Sequence, residues 1–265
     1  MAMQLEPDAD YPLDLISQHR PDQFRLFLQS VPPDWWITAI RTGQAYAGLK
    51  AAAADYEGFY HQLCAGMRFS HDWFSNKIWM WHDLLAPLRG AAAKVLEVGV
   101  FEGRSVIFCL EYMPHSHVVA IDHFVCKKGW TSSQGVTLQQ DCEEIFDHNV
   151  ERYGERVRKM TSPSWAALSS LIYERQEFDL IYVDAAHNTP DVLADSLLAW
   201  RMLKVGGLMV WDDFMLDVWS MSPNSVTQGI CAFLKMYEGQ YEWRHAGWQV
   251  AVRKTGDLMG SYIGV

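Results

Sequence analysis

Acidic residues follow two apolar runs of the sequence, at the points where these runs end. Asp184 closes residues 178–183, and Asp212 and Asp213 close residues 208–211. If the two runs are neighbouring strands, about 4.8 Å apart, these carboxylates converge at one edge of a sheet. Carboxylates held this close repel one another unless a cation lies among them. An all-oxygen set favours Mg²⁺ or Mn²⁺ over Zn²⁺, since no cysteine and a single histidine lie nearby.

That histidine, His187, lies three residues beyond Asp184. Histidine changes charge near neutral pH, so it suits removal of a proton from a substrate hydroxyl. A metal ion beside it would bind the hydroxyl, lower its pKa and fix its position. The pattern predicts metal-assisted chemistry on a hydroxyl group, with Asp184 and His187 as catalytic residues. The alternative is structural: a histidine that caps a turn, and strand-end carboxylates that hold no metal.

A glycine turn follows another apolar run, residues 95–98. Gly99 allows a tight turn and close approach of a ligand to the backbone, and Gly103 lets the next helix begin near the strand. The turn lacks the G-x-G-x-x-G dinucleotide fingerprint, and Glu97 would repel a pyrophosphate. A carboxylate suits an ammonium group, whereas Ser105 near a helix N-terminus suits a carboxylate. A ligand that carries both groups is an amino acid.

Asp122 ends the next apolar run, residues 118–121, where a carboxylate can accept hydrogen bonds from two ribose hydroxyls. The pattern E-x-G-x-x-x-G-x-S followed by this residue resembles the class I S-adenosylmethionine-dependent methyltransferases, over about residues 90–253. The resemblance implies S-adenosylmethionine as cofactor. The residues implied to bind it are Glu97, Gly99, Phe101, Gly103 and Ser105 at the methionine end, Asp122 at the ribose, and His123, Ser162 and Ser164 near the adenine.

The acidic cluster resembles that of the metal-dependent O-methyltransferases, both the catechol type and the macrolide-sugar type. The sugar type has a histidine where His187 stands, and the catechol type has a lysine there. The resemblance implies Mg²⁺ or Mn²⁺ on Asp184, Asp212 and Asp213, with His187 as general base. The catechol type has Asn at the position of Asp213, and the sugar type can have Glu at that of Asp212. These differences are compatible with a metal site, and they do not determine which substrate the protein uses. The expected acceptor is a small molecule, a glycosylated or phenolic natural product.

The elements that must position these residues are alternating strands and helices after residue 90. Continuous apolar strands separated by helices favour a parallel sheet buried on both faces. The predicted fold is α/β, a doubly wound and mostly parallel sheet with a closing hairpin, and the resemblance implies seven strands. Strands are expected at 95–98, 118–121, 157–160, 178–183, 208–211, 241–245 and 248–252, and helices at 105–113, 138–153, 165–173, from an N-cap at Thr189 to near Leu203, and at 226–237.

The first 89 residues predict a helical cap that serves the substrate or oligomerisation, before a catalytic domain at 90–265. Phe74, Ile78, Trp81 and Leu85 fall on one helical stripe. The polar residues His71, Asp72, Ser75 and Asn76 are expected on the surface, with the alternative that this stretch covers the cofactor, as it does in related methyltransferases. Glu102 and Arg104 are expected in solvent or beside a helix. Residues 126–135 predict either a mobile flap or a plain loop, and Trp219 either an acceptor-pocket wall or a core residue.

Composition limits the classes of function. The 265 residues are 49% hydrophobic and 20% charged, as in folded globular proteins, and the net charge of −10 disfavours nucleic-acid and membrane-surface partners. We expect no membrane span, because charged residues interrupt the most apolar window, and no secretory signal. Five cysteines without a C-x-x-C pair predict a reduced, cytoplasmic protein, and twelve tryptophans suggest a homo-oligomer. Two alternatives stay open, namely an iron-dependent hydroxylase-like protein on the same fold and a non-catalytic binding or scaffold protein.

Overall fold

The structure is a computed structural model that describes Gln29 and residues 31–132, 135–216 and 224–257. Trp219, and Ser133 and Gln134 of the predicted flap, lie outside the described residues. The helices are α1 (Pro33–Cys64), α2 (Ile78–Leu85), α3 (Arg104–Tyr112), α4 (Cys142–Val150), α5 (Ser164–Tyr173), α6 (Thr189–Trp200) and α7 (Val226–Met236), with 3₁₀ turns at Ser75–Lys77, Ala86–Leu88 and Glu151–Arg156. The strands are β1 (Lys94–Val98), β2 (His117–Asp122), β3 (Val157–Thr161), β4 (Phe178–Val183), β5 (Leu203–Trp211), β6 (Tyr241–Ala246) and β7 (Val250–Lys254).

The strands form one sheet in the order β3-β2-β1-β4-β5-β7-β6, in which β7 alone among the described strands runs antiparallel to both of its neighbours. Val98 pairs with Ile121 of β2 and with Val183 of β4, and Val183 pairs with Trp211 of β5. Four parallel strands therefore end at the same level. The predicted fold class, a mostly parallel doubly wound sheet with a closing hairpin, is confirmed.

Both faces of the sheet are buried, which explains the continuous apolar runs. Leu96 of β1 belongs to a core cluster with Leu168 of α5 and Ile230 of α7. Its neighbour Val95 belongs to the other cluster, with Trp81 of α2. Since alternate residues of a strand point to opposite faces, β1, β2, β4, β5 and β7 each contribute to both clusters.

Three predicted boundaries shift, each for a local reason. The helix after β2 begins at Cys142 rather than at 138, because Leu138 donates its N–H to the carbonyl of Trp130 within the preceding loop, at 2.9 Å. The side chain of Asn188, not Thr189, caps α6 by accepting from the Asp191 N–H at 3.1 Å. Strand β5 begins five residues earlier than predicted, since glycines at 206 and 207 interrupt its apolar pattern.

Within the described part of the predicted cap, the main elements are helices α1 and α2, as predicted. The long helix α1 packs on α2 and on the edge strand β6, and the predicted stripe of Phe74, Ile78, Trp81 and Leu85 is buried. The division into a cap at 1–89 and a catalytic domain at 90–265 stays a prediction. No helix of the described residues combines the length and the apolar character that crossing a membrane requires.

Candidate active site

The candidate site lies where β1, β2, β4 and β5 end. In open sheets of this kind, ligands bind outside the carboxyl ends of the strands. The aligned strand ends bring Gly99, Asp122, Asp184 and Asp212 to this edge, one residue after each strand or at its last residue. Sequence positions up to 113 residues apart thereby become neighbours because of the parallel register.

The glycine turn has the geometry that its sequence predicts. Gly99 has φ +89°, and a Cβ there would lie 1.9 Å from the carbonyl oxygen of Asp184. Gly103 has φ +83°, and its Cβ would come within 2.9 Å of the Phe146 ring. Only glycine fits such a close backbone approach at a positive φ. Phe101 adopts φ +46° without being glycine, so the turn stores backbone strain.

Asp122 holds this strained turn in place. Its Oδ2 accepts hydrogen bonds from the backbone N–H of Val100 at 3.0 Å and of Phe101 at 2.9 Å, and its Oδ1 accepts from the Phe124 N–H at 2.8 Å. The exposed ring of His123 lies beside the carboxylate, with Nδ1 3.4 Å from Oδ1. The residue predicted to bind ribose thus shapes the loop that would cradle the rest of the cofactor.

Glu97 is a buried carboxylate that is only half satisfied. Its side chain is 1% exposed. Oε1 accepts a hydrogen bond from the Ser105 hydroxyl, whereas Oε2 has no partner among the described residues. Burial raises the pKa of Glu97 to about 8; the Ser105 hydrogen bond opposes this rise, and the charges of Asp122 and Asp212 add to it. An ammonium group would satisfy the open oxygen and restore the ionised form, so the site fits the amino-acid end of S-adenosylmethionine.

The two serines predicted near the adenine separate. Ser162 lies next to Asp122 and donates its backbone N–H to the Asp122 carbonyl at 3.0 Å. The Ser164 hydroxyl instead forms a hydrogen bond with the buried Asp195 of α6, which opposes the rise that burial causes in the pKa of Asp195, to about 6. The structure keeps Ser162 at the strand end and turns Ser164 toward the helices behind the sheet.

Asp184, His187 and Asp213 form one cluster. One potential ligand atom from each lies within 4.8 Å of the other two. The His187 Nε2 is 2.9 Å from Asp213 Oδ2, and the Trp248 indole N–H donates to Asp213 Oδ1 at 3.2 Å. Asp213 has φ +57°, a strained conformation that turns its carboxylate toward His187.

Asp212 does not join this cluster. Both of its oxygens contact the Lys77 ammonium, at 3.0 and 2.7 Å. Its Oδ2 also accepts from the Tyr182 hydroxyl at 2.6 Å and from the Gln249 amide at 3.0 Å. Of the three carboxylates predicted to hold a metal, the structure brings two together with His187 and pairs the third with a lysine. Adjacent residues diverge after a strand, which explains why Asp212 and Asp213 face different partners.

The charges of this cluster are coupled. Burial raises the pKa of Asp184 well above its ordinary range, and the neighbouring Asp212 and Asp213 raise it further. Burial would also raise the pKa of Asp213, but the hydrogen bond and charge of His187, helped by Lys77, lower it. Burial alone would lower the pKa of Lys77, but the charges of Asp212, Asp213 and Asp184 raise it. The net result is a raised pKa. A further cation at Asp184 would relieve the repulsion among these carboxylates.

The sequence predictions missed Lys77, Tyr182 and Gln249. Lys77 directly follows the polar stretch 71–76, which was expected on the surface. Gln249 is a lone polar residue in an apolar strand pattern, and a buried polar residue of this kind needs hydrogen-bond partners. Its Nε2 donates to Asp212, and its Oε1 accepts from the Trp81 indole at 2.8 Å. The isolated Gln249 was therefore the sequence feature that could have indicated a buried hydrogen-bond network at this site.

Residues 70–77 lie over the glycine turn, which corrects the expectation for Glu102. Glu102 is buried rather than solvent-exposed and accepts from the Ser70 N–H at 2.7 Å and from its hydroxyl at 2.6 Å. Arg104 pairs with Asp72 at 3.2 Å. The Trp73 ring lies 5.1 Å from that of Phe101. Glu102 and Arg104 lie at the edge of the sheet, where residues 70–77 pack against them. The two side chains therefore bind this segment instead of solvent.

Comparisons with known proteins relate the domain and its fold to methyltransferases. A methyltransferase domain family model matches residues 96–214, from β1 to just past β5. Among solved structures, the fold is similar to an O-methyltransferase from Klebsiella pneumoniae with TM-score 0.52 and 21% identity, covering 74% of this chain and 86% of that one. An O-methyltransferase from Bacillus cereus in complex with SAH has TM-score 0.52 and 19% identity, covering 75% and 90%.

A third similar structure is the MycE methyltransferase of the mycinamycin biosynthetic pathway, in complex with Mg and SAH. It has TM-score 0.51 and 14% identity, and the match covers 72% of this chain and 53% of MycE, so this chain spans about half of that protein. No curated protein is similar in sequence to this chain. Residues 96–214 match a methyltransferase domain, and the fold is that of these O-methyltransferase structures. The predicted resemblance to the methyltransferases is confirmed for the fold.

Proposed function

We propose that the protein transfers a methyl group from S-adenosylmethionine to a hydroxyl oxygen of a small molecule. The observation that carries this proposal is the open Oε2 of buried Glu97 beside the Gly99 turn. Burying a carboxylate without a partner is costly, and the ligand that compensates it must bring a hydrogen-bond donor with positive charge. The α-ammonium of S-adenosylmethionine supplies one, while the ribose lies near Asp122 and the adenine near His123 and Ser162.

The acceptor hydroxyl binds at Asp184, His187 and Asp213, on the side of the sheet edge next to β5. Asp184 and Asp213 would hold a divalent ion, Mg²⁺ or Mn²⁺, since an oxygen of each carboxylate lies within 4.8 Å of the other. When bound, the ion acidifies and orients the hydroxyl as a Lewis acid. The single histidine distinguishes this set from the two-histidine, one-carboxylate sites of iron oxygenases, which disfavours the hydroxylase alternative.

His187 acts as the general base. Its Nε2–H donates to Asp213, so in the neutral imidazole the basic lone pair is on Nδ1. Asp213 holds the ring and stabilises the imidazolium that forms when the acceptor proton arrives. The hydroxyl oxygen then displaces the methyl group in line, and positioning supplies much of the rate gain. The acceptor with the best fit has adjacent hydroxyls, as glycosylated and phenolic natural products do.

The first test titrates S-adenosylhomocysteine into metal-stripped protein by calorimetry, and repeats the titration with Mg²⁺. We expect micromolar binding in both conditions, since Glu97 and Asp122 lie outside the acidic cluster. Glu97→Gln should weaken binding at least tenfold. Glu102→Gln is the matched control, because this buried carboxylate of the same turn already has Ser70 as partner. Absence of binding to the wild type in both conditions contradicts the proposal.

The second test screens acceptors. Methyl transfer from labelled S-adenosylmethionine to catechols, flavonoids and glycosides is measured with and without a chelator. We expect transfer to a vicinal diol or catechol that the chelator suppresses and Mg²⁺ or Mn²⁺ restores. Transfer that the chelator leaves unchanged contradicts the metal assistance and leaves the methyltransferase proposal standing.

A further inference from the structure

We propose that Lys77 is the resident counter-ion of Asp212 and keeps this carboxylate out of metal coordination, so that the divalent ion is held on the Asp184–Asp213 side alone. This inference deepens the proposed function and rests on its metal site. It makes Lys77 a residue that sets how tightly the site binds a divalent ion.

The contacts of Asp212 carry the inference. Its Oδ1 contacts the Lys77 ammonium at 3.0 Å and accepts the Asp213 N–H at 2.7 Å. Its Oδ2 contacts the same ammonium at 2.7 Å and accepts from Tyr182 and Gln249. The side chains of Asp212 and Lys77 are 5% and 15% exposed. A metal ion could reach this carboxylate only by displacing an ammonium that already binds both oxygens.

The backbone around Lys77 holds the ammonium where it is. Lys77 ends a 3₁₀ turn whose first N–H groups are capped by Asp72, at 3.1 Å from Phe74 and 2.8 Å from Ser75. Helix α2 follows at once, and its Trp81 is fully buried and donates to Gln249. The lysine is therefore anchored on both sides, and the same glutamine ties α2 to Asp212.

The position of the ammonium also affects the neighbouring carboxylates. Asp184 lies in the same network, with its Oδ2 3.1 Å from the Tyr182 hydroxyl that donates to Asp212. A positive charge next to a cation site repels a second cation, most strongly where burial limits screening. Lys77 thus weakens divalent-ion binding in two ways, by occupying Asp212 and by its own charge.

Calorimetric titration of Mn²⁺ into metal-free protein tests this inference. Lys77→Met should bind Mn²⁺ at least tenfold more tightly than the wild type. Adding Asp212→Asn to that variant should remove most of the gain, because the gain depends on a freed Asp212. Lys77→Arg keeps the charge and should bind no more tightly than the wild type. Lys77→Gln is a second neutral variant with the same expected gain, should Lys77→Met fail to fold.

Two outcomes overturn the inference. In the first, Lys77→Met and Lys77→Gln both bind Mn²⁺ no more tightly than the wild type does. This outcome includes the case in which none of these proteins binds Mn²⁺. The other is a double variant that binds as tightly as Lys77→Met alone. S-adenosylhomocysteine is titrated into the same proteins as a separate readout. Its failure to bind would contradict the methyltransferase proposal, and the Mn²⁺ results would still decide the role of Lys77.

Discussion

Cofactor affinity should depend steeply on pH through Glu97. Burial raises the pKa of this carboxyl to about 8, against the opposing Ser105 hydrogen bond and with help from the charges of Asp122 and Asp212. An ammonium group binds the ionised form, so the protein must release the Glu97 proton when the ligand binds. At pH 7 this release costs about 1.4 kcal/mol, a factor of roughly ten in Kd, and at pH 6 about twice that free energy.

The assay is calorimetric titration of S-adenosylhomocysteine at pH 6, 7 and 8, in two buffers of different ionisation enthalpy. Affinity should rise about ninefold from pH 6 to 7 and about fivefold from pH 7 to 8, with release of close to one proton per ligand at pH 6. At higher pH the ligand loses its own ammonium proton and affinity should fall again. Glu97→Gln should bind weakly with a flat profile. A wild-type Kd that is constant between pH 6 and 8 would refute the placement of the ammonium on Glu97.

Four further outcomes are expected. Because the folded-state pKa of Glu97 lies above its ordinary 4.5, its contribution to stability is complete below about pH 4.5 and is lost as pH rises toward 8; Glu97→Gln should therefore raise the unfolding temperature of the ligand-free protein at pH 8 and not at pH 4.5. Gly99→Ala should lower the free energy of unfolding in urea by about 3 kcal/mol or more, since its Cβ meets a backbone oxygen at positive φ. Asp122→Ala removes the acceptor of three backbone N–H groups and should lower the free energy of unfolding in urea by about 2–4 kcal/mol. The same variant should also lose cofactor binding. His187→Gln should lower kcat and abolish the acidic limb of its pH profile, whereas His115→Gln on an exposed turn should leave both unchanged.

Each of these outcomes has a counterpart that would contradict it. An unfolding temperature that Glu97→Gln leaves equal to that of the wild type at pH 8 would show that the carboxyl is not destabilised by burial. Gly99→Ala or Asp122→Ala proteins that unfold at the wild-type urea concentration would contradict the geometry of the turn. A His187→Gln enzyme with an unchanged pH profile would assign the base to another group.

The glycine turn was predictable because its requirements are local. The positive φ of Gly99 (+89°) and of Gly103 (+83°) selects glycine within a few residues of the strand. The strand ends were predictable for a related reason, since buried parallel strands need continuous apolar runs and acidic residues interrupt them. Both signals are contained in windows of about ten residues.

The partners of the charged residues were not predictable in this way. Glu102 and Arg104 follow the turn as ordinary polar residues in the sequence, yet they bind Ser70 and Asp72, which lie 32 residues before them along the chain. Asp212 and Asp213 are adjacent and chemically identical. Asp212 pairs with Lys77, 135 residues before it, whereas Asp213 pairs with His187.

The sequence alone determined the fold class, the strand ends and the cofactor-type glycine turn, because periodicity, glycine and acidic residues encode these features locally. Only the tertiary structure decided that Asp184 and Asp213 meet His187 while Asp212 meets Lys77. The physical reason is that burial makes every charge depend on whichever opposite charge the fold brings within hydrogen-bond distance, and no window of sequence contains both partners.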